Sequence, residues 1–143
     1  MGKAVFVDTD VIIDFMIDRL PFSIKASEVF ALAESGKIKI YVSAVCFNNI
    51  FYIGRKVIEK DQTISLLQKL EQLAEILPVT QMVIKQALHT AFKDFEDSIQ
   101  YYTALQDANV SAIITRNVKD FQLSELPVQT PEEYILQFLQ SGQ

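Results

Sequence analysis

Residues 3–14 read KAVFVDTDVIID, in which a short apolar run at 5–7 is followed directly by the carboxylate of Asp8. Residues 5–7 are apolar without interruption, which is typical of a strand buried on both faces of a parallel sheet. In open α/β sheets, ligands bind beyond the carboxyl ends of the strands. Because Asp8 and Asp10 follow the predicted strand directly, the stretch predicts an acidic site at that edge of the sheet.

Composition narrows the class of protein. The 143 residues, half of them hydrophobic, predict one globular domain over 1–143. The single cysteine, Cys46, excludes an internal disulfide and favours a cytoplasmic location. No apolar run approaches the roughly 20 residues of a membrane span. The net charge of −5 argues against broad nucleic-acid affinity, which depends on neutralising phosphates. A metal-dependent nuclease remains compatible with it, because the carboxylates of its site raise the acidic count.

Strands and helices are predicted to alternate along the chain. Apolar runs predict strands at 5–7, 37–42, 76–79, 111–115 and 128–129. Helical spacing predicts helices at 10–18, 21–35, 44–58, 61–73, 81–92 and 95–108, and a last one from 131. Residues 130–133 read TPEE, a capping box with proline at the first helical position.

Strands separated by helices form parallel units with right-handed crossovers. The two most apolar strands end at Val7 and Ile114 and are therefore predicted to be central neighbours. The fold class predicted is α/β, a three-layer sandwich around a parallel sheet of order 3-2-1-4-5. In that order Asp8 and the turn at 115–117 face each other across one crevice.

Three clusters carry the candidate chemistry, namely Asp8-Thr9-Asp10, the acidic segment 94–97 and the turn 115–121. The predicted sheet order brings all three together. Two carboxylates about 4 Å apart repel by roughly 4 kcal/mol at an effective dielectric of about 20, so such a cluster needs a cation, a shared proton or greater separation. Oxygen ligands without clustered Cys or His favour Mg²⁺ or Mn²⁺ over zinc.

In this order the motifs resemble those of the PIN domain family. Its members share a strand-end Asp-Thr-Asn/Asp, a later helix-borne Asp, and a Thr-x-Asn/Asp-x-x-Asp/Asn-Phe turn. The corresponding positions here are 8–10, Asp97 and 115–121. The resemblance implies the 3-2-1-4-5 sheet and Mg²⁺- or Mn²⁺-dependent cleavage of RNA. Many bacterial members of this size are VapC-like toxin ribonucleases of type II toxin–antitoxin pairs.

The resemblance also implies roles for particular residues. Asp8, Asp97 and Asp120 are expected to hold one or two metal ions for attack by an activated water, with Asp94 as a further ligand. The expected catalytic set comprises Asp8, Asp97, Asp120, Asn49, Asn117 and Thr115, of which Thr115 and Asn117 would orient the site through hydrogen bonds.

The chain departs from the family pattern at one place. The family usually carries a Glu early in the helix after the second strand, where this chain has Asn49 as the best match and Asn48 as the fallback. An amide oxygen can bind Mg²⁺ through water but adds no charge, so we expect weaker metal affinity, partly restored by Asp94.

Several of these residues also have a structural interpretation. Asp10 is equally well explained as the cap of the first helix. Asp94 and Glu96 can complement a helix dipole, and for Glu96 this is the favoured interpretation. Asn117 can be explained as a turn-forming residue without a role in catalysis. His89, like Cys46, is expected to be structural or exposed rather than catalytic.

Two other functions remain open from the sequence. The stretch 7–11 also resembles the nucleophile loop of haloacid-dehalogenase-type phosphatases, in which Asp8 would be phosphorylated. Alternatively, a domain without the Glu could bind RNA or protein and cut nothing. For the nuclease, the expected partners are RNA, a cognate antitoxin and a second copy of the chain, with no membrane. Candidate apolar surface positions for a homodimer are Phe47, Phe51, Leu67 and Leu70.

Overall fold

The computed structural model describes residues 3–142, which form a five-stranded parallel sheet flanked by helices. The strands are β1 (Lys3–Val7), β2 (Ile38–Ser43), β3 (Ala74–Leu77), β4 (Ala112–Ile114) and β5 (Val128–Gln129). Their order is β3-β2-β1-β4-β5, as predicted, and every neighbouring pair is parallel. The order reverses between β1 and β4, which opens a crevice at their carboxyl ends.

Helices cover both faces of this sheet. They are α1 (Thr9–Met16), α2 (Phe22–Glu34), α3 (Ala44–Gly54), α4 (Lys60–Leu73), α5 (Gln81–Leu88), α6 (Phe95–Ala104) and α7 (Pro131–Gln140), with a 3-10 helix at Val118–Phe121. Residues of α1, α2, α3, α4 and α7 pack on one face, and residues of α6 and the 3-10 helix pack on the other. No helix within residues 3–142 has both the length and the hydropathy of a membrane span.

The β1 strand is buried on both sides, which confirms the interpretation of its continuous apolar run. Val5 and Val7 point into the larger core cluster, together with α1 and α2. Ala4 and Phe6 point into the smaller cluster, where Phe6 packs with Tyr101 of α6. Four of its five side chains therefore lie in cores, and its end is held rigidly in the middle of the sheet.

The predicted helix and strand boundaries are less accurate than their order. The third helix ends at Gly54 rather than at 58, because tighter bonds take over there, such as that from the Val57 amide to the Gly54 carbonyl (2.9 Å). Gly54 also lies so close to α4 that an added Cβ would come within 2.9 Å of Thr63 Cγ2. The helices predicted at 81–92 and 95–108 are each four residues shorter.

The predicted end of α2 and the predicted start of α7 are confirmed, but the prediction of one surface residue is wrong. Gly36 follows α2 at φ +78°, a conformation that favours glycine. Thr130 and Glu133 form the reciprocal capping box of α7. Leu70, proposed above as a surface position, is only 1% exposed, since it packs between α4 and the sheet in the larger core cluster.

Candidate active site

An open cleft of about 510 Å³ lies where β1 and β4 end. The Asp8 amide donates to the Ile114 carbonyl (2.9 Å), so the two strands stay paired up to the cleft. Its polar lining comes from the end of β1, α1 and the segment after it, α3, α6 and the turn after β4. The residues are Asp8, Thr9, Asp10, Arg19, Asn49, Glu96, Asp97, Arg116 and Asn117. Residues from each of the three predicted clusters therefore meet in one cleft, although Asp94 and Asp120 lie outside its lining.

Asp8 occupies the centre of the site and is only 6% exposed. It is also the N-cap of α1, because its Oδ1 accepts from the Thr9 amide at 2.8 Å. The interpretation of Asp10 as the cap is therefore wrong, since Asp10 lies inside the first helical turn. The helix begins one residue earlier than its apolar spacing indicates, and Asp8, which lines the cleft, therefore occupies the cap position.

Gln100 is a site residue for which the sequence predicted no role. It lies on α6 with 1% exposure, and its Nε2 donates to Asp8 Oδ1 and Thr9 Oγ1, both at 3.1 Å. A glutamine fully buried in a helix needs polar partners, but no local pattern reveals that these are residues 92 and 91 positions away. Gln100 thus ties α6 to the end of β1.

The turn after β4 supplies hydrogen bonds from the opposite side. Thr115 is buried, and its hydroxyl donates to Asp8 Oδ2 at 2.8 Å while accepting from the Asn117 amide at 3.0 Å. The side-chain amide of Asn117 donates to Asp10 Oδ2 at 3.0 Å. Thr115 and Asn117 thus hydrogen-bond to Asp8 and Asp10, and their role in orienting a catalytic site stays a prediction.

An ion-pair network centred on a buried carboxylate holds this turn in place. Asp14 of α1 is 1% exposed, and its carboxylate accepts from Arg19 Nε (2.9 Å) and Arg116 Nε (2.7 Å). The Arg116 guanidinium also lies 4.0 Å from the centre of the Phe22 ring. Arg116 is therefore bound within the fold from two sides, and the turn that carries Asn117 is anchored to α1.

Replacing Asp14 by Asn is expected to lower the free energy of unfolding by about 2–3 kcal/mol, because breaking a buried ion pair costs several kcal/mol. The loss stays below that of a fully buried pair because both arginines keep partial access to water. Urea unfolding at neutral pH measures the change. Asp18→Asn is the matched control, since it removes the same charge from an exposed residue and should change stability by less than about 0.5 kcal/mol. Equal losses in the two variants would contradict the anchoring role.

The first turn of α6 brings two more carboxylates to the cleft. Asp94 caps this helix by accepting from the Asp97 amide at 3.2 Å, and Asp97 and Glu96 both line the cleft. Asn49 of α3 also lines it, and its side-chain amide donates to Glu96 Oε2 at 2.8 Å. The favoured interpretation of Glu96 as a dipole partner is therefore incomplete, because Glu96 also faces the acidic cleft.

The carboxylates of the cleft interact through their charges. Burial, and next the charge of Asp8, raises the pKa of Asp10 to about 6. Partial burial, and next the charges of Asp8 and Asp94, raises the pKa of Asp97 to about 7. For Asp8 itself, burial raises the pKa even though Gln100 and Thr115 donate to it. Each pKa is raised first by the loss of hydration and further by neighbouring negative charge, and a bound cation would favour the charged form of these carboxylates.

The remaining predicted residues lie at the margin. Asp120 is exposed on the 3-10 helix and is not part of the cleft lining, although its charge acts on Asp8 and Asp97. Asp94 and Asn48 are also exposed and outside the lining. The roles assigned to Asp120 and Asp94 stay predictions.

The residues expected to be non-catalytic, Cys46 and His89, are not part of the cleft lining. Cys46 is fully buried, and burial raises the pKa of its thiol to about 12. A thiol with so high a pKa carries almost no thiolate at neutral pH, which disfavours a nucleophilic role. His89 is exposed at the C-terminus of α5 and is not part of the cleft lining.

The donor set fits a hard divalent ion such as Mg²⁺ or Mn²⁺, since carboxylate and amide oxygens line the cleft and no lining residue is His or Cys. Asp10 Oδ1 is buried without a hydrogen-bond partner among residues 3–142, which leaves an acceptor for a ligand. Within those residues, no three acidic, His or Cys side chains lie close enough to hold an ion together. Mg²⁺ commonly binds through one or two carboxylates and keeps several waters, so Asp8 and Asp97 or Asp10 are the candidate ligands.

Comparison with known proteins gives a family. The model of the PIN domain family matches residues 4–119 of this chain. No curated protein matches the chain in sequence.

Several solved structures share the fold. VapBC2 of Rickettsia felis, solved bound to a DNA fragment from its promoter, aligns with a TM-score of 0.66 at 16% identity over 89% of this chain and 98% of the other. VapBC-1 of nontypeable Haemophilus influenzae aligns with a TM-score of 0.67 at 19% identity over 90% and 98%. VapC20 of Mycobacterium tuberculosis, described as a toxin that cleaves the sarcin-ricin loop, aligns at 0.60 and 12% identity over 76% and 86%.

Proposed function

The chain belongs to the PIN domain family, and on that premise we propose that it is a divalent-metal-dependent ribonuclease and the toxin of a toxin–antitoxin pair. The observation that carries the proposal is a buried carboxylate, Asp8, at the end of a central strand, which lines one cleft together with Asp10, Asp97 and Glu96. Phosphodiester hydrolysis needs a metal ion at such a place, because the substrate and the carboxylates are all negatively charged.

Each site residue has a defined task in this mechanism. Asp8 and Asp97 would bind Mg²⁺ or Mn²⁺, with Asp120 and Asp94 as outer acids. When bound, the ion lowers the pKa of a water and stabilises charge on the leaving 3′ oxygen. Thr115 and Gln100 hold the Asp8 carboxylate in a fixed rotamer by donating to its two oxygens.

The turn at Asn117 has a second task in the proposed reaction. Asn117 fixes Asp10 by a hydrogen bond of 3.0 Å, and Arg116 lines the same cleft as a cation that can attract the RNA backbone. In-line attack by water would leave a 5′ phosphate and a 3′ hydroxyl.

The antitoxin partner is supported by two observations. Similar solved structures include complexes described as VapBC assemblies and one described as a toxin–antitoxin complex, from Klebsiella pneumoniae. In addition, a groove of about 490 Å³ adjoins the cleft through Arg116 and Asn117, and the apolar side chains of Phe22 and Ile24 are exposed in it. A second copy of the chain stays a proposal, with the half-buried Phe47, Phe51 and Leu67 as candidate contacts.

Purified protein is expected to cut RNA with Mg²⁺ or Mn²⁺ and to cut none in EDTA. Denaturing gels of a structured RNA, with end-group analysis of the fragments, measure this. Cleavage that persists in EDTA would contradict the metal-dependent mechanism. RNA that is bound but never cut would favour the binding-module alternative. Hydrolysis of a small phosphate ester with a covalent phosphate on Asp8 would favour the phosphatase, which the family match disfavours.

A further inference from the structure

The cleft lacks a carboxylate from one of its walls. The α3 helix contributes Asn49, Tyr52 and Ile53 to the lining, and none of these carries charge. The α6 helix on the facing wall contributes two successive acids, Glu96 and Asp97. The negative charge of the cleft lining therefore comes from Asp8 and Asp10 and from these two acids of α6, and none of it comes from α3.

A specific contact joins the two walls. Asn49 Nδ2 donates to Glu96 Oε2 at 2.8 Å, and the two residues are 47 positions apart. An exposed Glu in the first turn of a helix gains from the dipole in any rotamer, so the dipole does not explain why this one faces the cleft. The contact with Asn49 does explain it, because it selects the rotamer that lines the acidic cleft.

That rotamer is electrostatically unfavourable without a ligand. It places Glu96 in a cleft that already holds Asp8 and Asp97, and its hydrogen-bond partner is a neutral amide rather than a cation. Like charges in one cleft repel, and a side chain on the surface could relax into water. A carboxylate held against that repulsion is the arrangement expected where a cation binds.

A second observation points to a ligand at the same place. Gln100 is buried, and its Oε1 has no hydrogen-bond partner among residues 3–142. The Nε2 of the same amide donates to Asp8, the central carboxylate. Asp10 Oδ1, on a residue that lines the cleft, is likewise buried without a hydrogen-bond partner among residues 3–142. Buried amide oxygens are almost always satisfied, by protein, by water or by an ion.

We propose that Glu96 is a metal-binding residue of this site and that Asn49 is its positioning residue, an inference that rests on the proposed metal-dependent function. Glu96 thereby supplies from α6 the negative charge that α3 lacks. The ion bound is a hard divalent cation, and Glu96 binds it directly or through one of its waters.

The experiment compares Mn²⁺ affinities by isothermal titration calorimetry on the full chain. Glu96→Gln is expected to weaken binding about tenfold or more. Asn49→Ala keeps the Glu96 carboxylate but removes its hydrogen bond, and should weaken Mn²⁺ binding by several fold. Glu71→Gln is the matched control, because it removes the same charge from an exposed residue of α4, and it should bind as the wild type does. Thermal melts in EDTA verify that each variant folds.

A double variant that exchanges the amide and the carboxylate separates a metal-binding role of this pair from a structural one. In Asn49→Glu/Glu96→Gln the amide and the carboxylate change places and can still hydrogen-bond, so Mn²⁺ affinity should return to within about threefold of wild type. Asn49→Glu alone sets two carboxylates against each other and should destabilise the metal-free protein relative to the double variant.

The outcomes are distinguishable. Wild-type protein that binds no Mn²⁺ would overturn the proposed function, and this inference with it. Wild-type binding with Glu96→Gln unchanged would overturn this inference alone. A double variant no better than Glu96→Gln would overturn the positioning role of Asn49.

Discussion

Replacing Asp8 by Asn is expected to lower RNA cleavage at least about a thousandfold, equivalent to about 4 kcal/mol of activation free energy. Asp8 is the most buried acid of the cleft lining and the one from which the site is organised. Because an amide carries no charge, the variant would lose the strongest candidate ligand for the metal ion. Cleavage rates on one RNA substrate at saturating Mg²⁺ measure the loss.

The same variant is expected to melt at an equal or higher temperature than the wild type in EDTA. Burial raises the pKa of Asp8, which means that the fold disfavours its charged form. An asparagine oxygen can still accept from Thr9 and Gln100, and Thr115 can accept from the new amide. Function and stability therefore oppose each other at this residue.

The control for both measurements is Asp61→Asn, which removes a charge from an exposed position in the first turn of α4. It should retain full cleavage. An Asp8→Asn protein that cuts RNA at the wild-type rate would contradict the proposed mechanism. One that melts well below the wild type would show that the charge of Asp8 stabilises the fold.

The second large effect expected is a reversal of the pH dependence of stability by Mg²⁺. The pKa values of Asp10 and Asp97 in the folded chain, about 6 and about 7, lie above their ordinary value of 3.8. Between pH 4 and 7, roughly, the folded state thus binds more protons than the unfolded state, and these two groups lower stability as pH rises. In EDTA we expect a higher melting temperature at about pH 5 than at about pH 8.

Mg²⁺ should reverse the order of the melting temperatures at these two pH values. Protons compete with the ion for the same carboxylates, so the ion binds more tightly at the higher pH. At a concentration about 100 times its dissociation constant, it would add about 2.7 kcal/mol to the free energy of unfolding. The melting temperature with Mg²⁺ is therefore expected to be higher at about pH 8 than at about pH 5.

Differential scanning calorimetry at the two pH values, with EDTA or Mg²⁺, measures this crossing. The control is the double variant Asp10→Asn/Asp97→Asn, in which both the pH dependence in EDTA and the response to Mg²⁺ should be much smaller. A wild type that is equally stabilised by Mg²⁺ at both pH values would contradict a site formed by these carboxylates.

The fold was largely predictable from local patterns. The apolar runs of β1 and β4 stand out because each is buried on both faces, and right-handed crossovers leave few ways to order the strands. The helix ends were less predictable. Val57 and Ile58 continue the helical spacing, but α3 stops at Gly54, where it packs against Thr63 of α4.

The site was predictable to the extent that its residues follow strand ends or cap helices. Asp8 and the pair Thr115 and Asn117 lie in such places, whereas Asp97, inside the first turn of α6, was predicted from the family resemblance alone. Two others follow no local rule. Gln100 is one of several polar residues on α6, and only its burial against Asp8 distinguishes it. Glu96 is one of many acids found in the first turn of a helix, and only its contact with Asn49 distinguishes it from the others.

The amino-acid sequence by itself thus determined the sheet, its order and the edge at which acids gather, because hydrophobic burial and chain connectivity are readable residue by residue. The tertiary structure alone decided which side chains meet there: that Asp8 rather than Asp10 caps α1, that Gln100 reaches Asp8, and that Asn49 holds Glu96. The physical reason is that a hydrogen bond between residues 47 or 92 positions apart depends on rotamers and helix packing, and these leave no periodic trace in the chain.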